Sequence, residues 1–178
     1  SGNPSVGMEY RHYYLAKHLV DLGWEVSIVS AEYSHLYARP PKVSGFTTIE
    51  SVDGIDYAWI RTPRYSGNGI MRFANMLAFY LGLLFLPLRK AIGRPDVILG
   101  STPQPLVCLA ALSLGKRFNV PVALEFRDLW PLMLEELGSM NANHPLHRFF
   151  HWIERKSFAE ADAVISLWAA TDDYMKAG

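Results

Sequence analysis

Hydrophobic residues recur along the chain with two alternating spacings, one typical of helices and one typical of strands. Leu15 and Leu19 share one face of a helix that the pattern predicts over Val6–Gly23, where the glycine ends it. The next run, Glu25–Ser30, is short and rich in β-branched residues, which predicts a strand. A helix that leads through a tight glycine turn into a strand is typical of a parallel sheet.

Two further extended runs flank a tight turn. Phe46–Val52 and Ile55–Thr62 lie on either side of Asp53-Gly54, a dipeptide that favours hairpin turns. The sequence therefore predicts a local antiparallel hairpin.

The second half of the chain alternates strands and helices. Strands are predicted over Asp96–Gly100, Val120–Phe126 and Ala163–Leu167. The helices between them run to about Phe118 and over His144–Ala159. This βαβα alternation predicts an α/β fold with a Rossmann-like, doubly wound and mostly parallel sheet.

Both ends of the chain are expected to be truncations. In a doubly wound sheet the first strand is central and precedes the turn that carries the phosphate-binding glycines. Here that turn is Pro4–Gly7, no strand precedes it, and the chain stops at Gly178 without a linker. We therefore expect that the first strand is missing and that residues 1–178 form one domain of a larger enzyme.

A long apolar segment predicts a helix from Ile70 to about Ile92. Its uncharged run, Phe73–Leu88, has 16 residues, fewer than the roughly 20 of a membrane-spanning helix. A buried core helix, an interfacial helix and a shallow re-entrant segment are the possible interpretations. Pro87 would kink a clean span, which favours the first two.

Charge and composition narrow the function classes. Seventeen basic side chains balance seventeen acidic ones, so no overall positive field favours nucleic-acid binding. The single cysteine, Cys108, lies in an apolar run and is predicted to be a buried hydrophobe rather than a nucleophile or ligand. One cysteine permits no internal disulfide, and the first residues lack a signal-peptide pattern, so we expect a cytoplasmic location.

The histidines do not predict a metal site. His144, His147 and His151 have helical spacing, but no carboxylate or cysteine completes a convincing ligand set. They are predicted to form an exposed or interfacial helix face, and neither a metal nor a bound cofactor is expected.

The candidate site consists of the loops that follow the strands, because open α/β sheets bind ligands outside the carboxyl ends of their strands. One loop contains Gly7, which would lie at a helix N-terminus that favours a phosphate, although an ordinary helix-start glycine explains it equally well. The three spaced glycines of a dinucleotide fingerprint are absent, which argues against hydride transfer. The loops are expected to converge on one crevice; they are Pro4–Arg11, Gly100–Pro103, Glu125–Pro131 and Leu167–Thr171.

The densest cluster of reactive side chains follows the strand that ends at Phe126. Glu125, Arg127 and Asp128 cannot all be buried unless they pair with one another. Arg127 offers a planar fork to a phosphate or carboxylate, and Asp128 can orient a hydroxyl or accept its proton. Trp130 offers a flat face to a sugar ring or a lipid. A salt-bridged strand end without a function is the alternative interpretation.

Two motifs resemble the N-terminal domain of group 1 glycosyltransferases, which form a retaining family with the GT-B fold. The first is Gly7-Met8-Glu9-Tyr10-Arg11 with the leucines of the first helix and Gly23-Trp24-Glu25-Val26. The second is Arg127-Asp128-Leu129-Trp130-Pro131, which looks like a loop of the subgroup that builds bacterial O-antigen, capsule and related polysaccharides. The resemblance covers essentially all 178 residues.

The resemblance implies transfer of a hexosyl group from a nucleotide sugar to a saccharide acceptor. The resemblance also implies that the anomeric configuration is retained and that no covalent nucleophile is required. The loop of Gly7 would approach the donor diphosphate, and Asp128 or Glu125 would position the acceptor hydroxyl. A second Rossmann-like domain, absent here, would hold most of the nucleotide sugar, so this chain alone is expected to be inactive. Acceptor binding would involve Glu9, Arg11, Ser101, Thr102, Arg127 and Trp130.

Acceptors in this subgroup are typically saccharides on a polyprenyl diphosphate, which suggests a role for the apolar helix. Leu81–Leu86, flanked by Arg64, Arg72, Arg89 and Lys90, would rest on an anionic membrane surface. The expected location is cytoplasmic and peripheral, at the inner face of the cytoplasmic membrane.

Two other functions stay open. A sugar-nucleotide 2-epimerase shares the two-domain architecture, needs no membrane-facing helix and would consume UDP-GlcNAc without an acceptor. A nucleotide-fold binding module without catalysis would lack a second α/β domain with two glutamates about two helical turns apart.

Overall fold

Helices and strands alternate along the chain as the hydrophobic pattern predicts. The computed structural model describes residues 1–7, 9–67, 70–128, 143–168, 171 and 174–175. The chain divides into two compact units, 1–94 and 95–178, and the described strands form one three-stranded sheet in each. The mixed α/β fold class is confirmed, whereas the missing first strand stays a prediction. The elements are α1 Arg11–Asp21, β1 Val26–Ala31, β2 Thr47–Val52, β3 Ile55–Ile60, α2 Ile70–Phe85, α3 Leu88–Ile92, β4 Ile98–Ser101, α4 Pro105–Phe118, β5 Val122–Phe126, α5 Pro145–Glu160 and β6 Ala163–Ser166.

The first helix begins at Arg11, so the predicted start at Val6 is wrong. The reason is a turn that Asn3 stabilises. Its side-chain oxygen accepts hydrogen bonds from the backbone N–H groups of Ser5 and Val6, at 3.0 and 3.1 Å. Its carbonyl oxygen accepts the N–H of Gly7 at 2.9 Å. Gly7 therefore precedes the helix by four residues. The prediction that it lies at the helix N-terminus is wrong.

Strand β3 is the centre of the first sheet, and its two neighbours run in opposite directions. It pairs in parallel with β1 and antiparallel with β2. The hairpin between β2 and β3 turns at Asp53 and Gly54, whose φ angles of 53° and 79° are both positive, as a two-residue type I′ turn requires. The predicted hairpin is confirmed.

Two stacked aromatic side chains of β3 form the centre of the first core. Tyr57 and Trp59 are fully buried, and their ring centroids are 5.1 Å apart at an interplanar angle of 19°. Tyr13 of α1 and Val43 pack in the same cluster. Burial of each such side chain contributes about 1.5–3 kcal/mol, so β3 and α1 are held together mainly by apolar contacts.

The apolar segment forms two helices rather than the single predicted one. Helix α2 ends at Phe85, and Pro87 is the N-cap of α3. Proline has no backbone N–H and cannot continue the preceding helix, which accounts for the break. Among the described residues, no helix is both long enough and apolar enough to cross a membrane.

The second sheet is entirely parallel, with the order β4-β5-β6. Helix α4 packs on it very closely, because two glycines leave room. A Cβ atom at Gly100 would lie 2.8 Å from side-chain atoms of Ala111 and Leu124. A Cβ atom at Gly115 would lie 2.2 Å from a methyl group of Val122. Both glycines are therefore required for the distance between helix and sheet.

Helix α5 buries one of the three histidines that were predicted to form an exposed or interfacial face. His147 is only 4% exposed, so the prediction is wrong for this residue. The cause is the packing of α5 on α4, which buries the helix face that also carries Phe150, Ile153 and Ser157. His144 is exposed and caps the helix, because its Nδ1 atom accepts the N–H of residue 146.

Replacement of Gly115 by alanine is expected to destabilise the fold by about 1–3 kcal/mol, because the added methyl group meets the branched side chain of Val122. Urea unfolding followed by circular dichroism measures the change. Ser113→Ala, at an exposed position of the same helix, is the matched control and should change stability little. Equal or greater stability of G115A would contradict the close packing, because alanine otherwise favours a helix over glycine.

Candidate functional site

The carboxyl ends of the second sheet bring together polar side chains from separate strands. Ser101 and Glu125 are direct partners in the register of β4 and β5. The Ser101 hydroxyl donates a hydrogen bond to Oε2 of Glu125 at 2.6 Å. This contact joins two of the loops that were predicted to converge.

Thr102 connects the same two loops through its backbone and its side chain. Its N–H donates to the carbonyl oxygen of Glu125 at 3.0 Å. Its hydroxyl oxygen accepts the N–H of Arg127 at 2.8 Å. Since Thr102 is only 2% exposed, these bonds are shielded from water and fix the backbone at the start of the predicted acceptor loop.

The third loop contributes Trp168, which was not among the predicted site residues. Its indole N–H donates to the carbonyl oxygen of Arg127 at 2.9 Å. Its ring is 59% exposed, so a flat aromatic face lies open beside the loop. The signal in the sequence was its position within Leu167–Thr171, a loop that follows a strand. Arg127 is therefore held at its N–H by Thr102 and at its carbonyl by Trp168.

The two predicted carboxylates differ in accessibility. Glu125 is 2% exposed, and a buried carboxylate is costly unless it accepts hydrogen bonds, which Ser101 provides. Asp128 is half-buried. Asp128 is thus the more accessible of the two for a ligand hydroxyl. Trp130, with its neighbours Leu129 and Pro131, lies outside the described residues.

Asp128 lines a small cavity in the second unit. Its volume is about 10 Å³, and its walls include Thr102, Cys108 and Glu154. This volume is at the lower limit for one water molecule, and the polar wall residues supply hydrogen-bonding groups. Cys108 is 1% exposed, and burial raises the pKa of its thiol to about 12. The prediction of a buried hydrophobic cysteine is confirmed.

Glu154 is a buried carboxyl group in α5, behind the candidate site. Burial raises its pKa, while the hydrogen bond that Tyr174 donates at 2.8 Å and the nearby His147 lower it. Desolvation is the largest of these effects, so the pKa of Glu154 is raised overall.

The predicted residues of the first unit have mainly structural contacts. Gly7 has a φ angle of 110°, and a Cβ atom there would lie 2.9 Å from the backbone nitrogen of Ala38. This close approach explains the glycine without a ligand, and its contact with a donor diphosphate stays a prediction. The carbonyl oxygen of Glu9 accepts the N–H of Gly2, and Arg11 is the exposed first residue of α1.

Helix α2 of the first unit has two apolar faces. Met76, Phe79 and Leu83 lie on its buried side. The opposite side carries a stripe of exposed apolar residues at helical spacing, which we call the α2 stripe. Its members are Ile70, Phe73, Leu77, Leu81 and Phe85, with exposures of 82, 41, 39, 42 and 77%.

The four basic residues predicted to contact a membrane belong to the same unit. Arg64, Arg89 and Lys90 are exposed, and Arg72 is half-buried. The guanidinium of Arg64 lies 5.9 Å from the ring centroid of Tyr33. Within the described ranges, no three His, Cys, Asp or Glu side chains are grouped so that they could hold a metal ion.

Replacement of Glu154 by glutamine is expected to weaken the dependence of stability on pH. Because the pKa is raised in the folded state, Glu154 favours folding below its ordinary pKa of 4.5, and this contribution is lost as the pH rises through the raised value. Urea unfolding of both proteins at about pH 4.5 and about pH 7.5 measures the effect. E154Q should lose less stability between the two pH values, whereas Glu25→Gln, at an exposed position, should match the unmodified protein. Identical pH dependence of E154Q and the unmodified protein would refute the role of Glu154.

Comparison with known protein families assigns the chain to one family. A profile of the glycosyl transferase 4-like domain matches residues 6–177 and so includes nearly all of both units. No curated protein is similar enough in sequence to count as a match. The resemblance to the glycosyltransferase family is confirmed, whereas the polysaccharide subgroup that the loop after β5 indicated stays a prediction. The chain therefore belongs to the glycosyl transferase 4-like family and is a glycosyltransferase domain.

Proposed function

We propose that this chain is the acceptor-binding part of a retaining hexosyltransferase. Its donor is a nucleotide sugar, and its acceptor is a saccharide, attached to a polyprenyl diphosphate, in cell-surface polysaccharide biosynthesis. The observation that supports this proposal most is the hydrogen-bonded joining of three strand-end loops around Arg127. A loop held at both backbone groups presents its side chains in a fixed geometry, which catalysis requires.

Asp128 and Glu125 have different roles in this proposal. Asp128, the more accessible carboxylate, orients the acceptor hydroxyl and can accept its proton. Glu125 acts through Ser101, to which it is hydrogen-bonded at 2.6 Å, and so is a positioning residue. Arg127 offers its guanidinium to a phosphate or carboxylate of the acceptor. Ser101, Thr102 and Trp130 complete the acceptor site of this unit, and Trp168 extends it with an exposed aromatic face.

Donor binding involves the first unit only in part. The backbone N–H groups of Ser5, Val6 and Gly7 already have an acceptor in Asn3. A donor diphosphate at Gly7 would have to compete with these bonds. We therefore propose that a second domain holds most of the nucleotide sugar, and that Glu9 and Arg11 contribute to the acceptor side. The nucleotide sugar is a substrate, and the proposal includes no metal or bound cofactor.

The first unit is proposed to lie at the inner face of the cytoplasmic membrane. The segment 57–95 contains six of the seventeen basic side chains and none of the seventeen acidic ones. The α2 stripe lies within this segment. An exposed apolar helix face in a basic segment is suited to the interface of an anionic bilayer.

Replacement of Asp128 by asparagine is expected to lower turnover by about 10²-fold or more, because amide oxygen is a poor proton acceptor. The assay uses the protein that contains this chain, a panel of nucleotide sugars and a polyprenyl-diphosphate sugar. Asp96→Asn, at an exposed position of the same unit, is the matched control and should be fully active.

An unchanged rate of D128N would remove Asp128 from the catalytic site. Consumption of UDP-GlcNAc without any acceptor would instead support a sugar-nucleotide 2-epimerase.

Flotation with liposomes that contain acidic lipid tests the membrane proposal. The protein should float at low salt, and Arg89→Ala with Lys90→Ala should weaken binding by about tenfold or more, because each basic residue near the surface contributes about 1 kcal/mol. The double substitution Leu77→Glu with Leu81→Glu should weaken liposome binding further. Leu22 is exposed at the C-terminal end of α1, and Leu22→Glu should leave liposome binding unchanged. Absence of binding at low salt would contradict the proposal.

A further inference from the structure

The first unit contains a groove, and none of the residues that line it has been assigned to the acceptor site proposed in the second unit. The turn at residues 3–6, the loop at residues 38–44 and the edge strand β2 form its walls. Its volume is about 410 Å³. Sites for small molecules commonly have volumes of about 300–1,000 Å³, so the groove is large enough for a monosaccharide derivative.

The loop at residues 38–44 is held in place on both sides of the groove. The backbone N–H of Arg39 donates to the carbonyl oxygen of Val6 at 3.0 Å. The guanidinium of Arg61 donates to the carbonyl oxygen of Val43. The N–H of Ser44 donates to the hydroxyl of Thr48 at 2.9 Å. Because the backbone is fixed at three points, the ordering cost of ligand binding is limited to side chains.

Two basic side chains of this loop, Arg39 and Lys42, line the groove. Both are exposed, and neither side chain has a hydrogen bond or ion pair with another described residue. Elsewhere in the chain, basic side chains such as Lys116 and Lys156 are paired, in their case with Glu160. The groove therefore presents two cations that are available to an anion.

The groove also contains one carboxylate in a fixed position. Oε2 of Glu50 accepts the indole N–H of Trp59 at 3.0 Å. Trp59 is fully buried, so this bond anchors Glu50 to the core of the unit. The other carboxylate oxygen, Oε1, has no partner among the described residues and can accept hydrogen bonds from a ligand.

We propose that this groove binds a saccharide that carries an anionic group, either a phosphate or a carboxylate. Arg39 and Lys42 bind the anion, and Glu50 accepts hydrogen bonds from sugar hydroxyls. A bare anion would be repelled by Glu50, whereas an anionic sugar presents negative charge and hydroxyl donors at different ends. The proposal concerns binding alone and is independent of the transferase function.

Isothermal titration calorimetry of the chain at low ionic strength tests the proposal. The probes are glucose 6-phosphate, glucuronic acid, glucose and inorganic phosphate. Glucose 6-phosphate and glucuronic acid should bind, and glucose should not. Inorganic phosphate should bind about tenfold more weakly than glucose 6-phosphate, because it has no sugar hydroxyls that could reach Glu50 while its charge lies at Arg39 and Lys42.

Variants assign the binding to the groove. R39A with K42A should weaken glucose 6-phosphate binding about tenfold or more, since charge-assisted hydrogen bonds are lost. E50Q should weaken glucose 6-phosphate but not inorganic phosphate, and its amide oxygen can still accept the Trp59 N–H. Lys17→Ala, an exposed basic residue on α1, is the control and should leave the affinity unchanged. Circular dichroism verifies that each variant is folded.

Three results would overturn the proposal. Equal affinity for inorganic phosphate and glucose 6-phosphate would indicate an anion site without sugar recognition. Unchanged affinity of the R39A/K42A protein would place the binding elsewhere. Binding to anionic lipid vesicles that depends on Arg39 and Lys42, without binding of glucose 6-phosphate, would assign the groove to lipid headgroups. Because no donor or acceptor is used, inactivity in the transfer assay bears only on the proposed function.

Discussion

Parallel pairing of β4, β5 and β6 is the constraint on which the candidate site depends. In parallel strands all carboxyl ends lie at one edge of the sheet, so loops that are distant in sequence meet there. Ser101 and Glu125 are 24 residues apart, and Trp168 lies 41 residues beyond Arg127, yet both pairs are hydrogen-bonded. The close packing of α4 at Gly100 and Gly115 keeps one face of this sheet covered.

Two carboxyl groups are buried in the second unit, and each accepts a hydrogen bond from a hydroxyl group. Glu125 lies beside the Ser101 hydroxyl at the sheet edge. Glu154 lies behind the site, where burial favours its neutral form and Tyr174 donates a hydrogen bond. Both groups rely on hydrogen bonds because an unsatisfied buried carboxyl group is costly. Asp128, which borders the same small cavity as Glu154, is the carboxylate that stays accessible.

The zero net charge of the chain conceals a strong segregation of charge. Residues 57–95 carry only basic charges, and they include the α2 stripe. Arg39 and Lys42 provide a second basic region, in a groove whose one carboxylate is anchored by Trp59. Local charge, rather than net charge, is therefore the physical quantity that distinguishes the surfaces of the first unit.

The sequence by itself determined the alternation of helices and strands, the hairpin at Asp53-Gly54 and the burial of Cys108, because periodicity and turn chemistry are local properties. It also identified the strand-end loops as the candidate site. Only the tertiary structure decided the start of α1, where Asn3 captures three backbone N–H groups, and the burial of His147. The same holds for the hydrogen bond of Trp168 and for the groove. These features depend on contacts between side chains and backbone groups whose positions only the folded chain sets, and a local pattern carries no information about them.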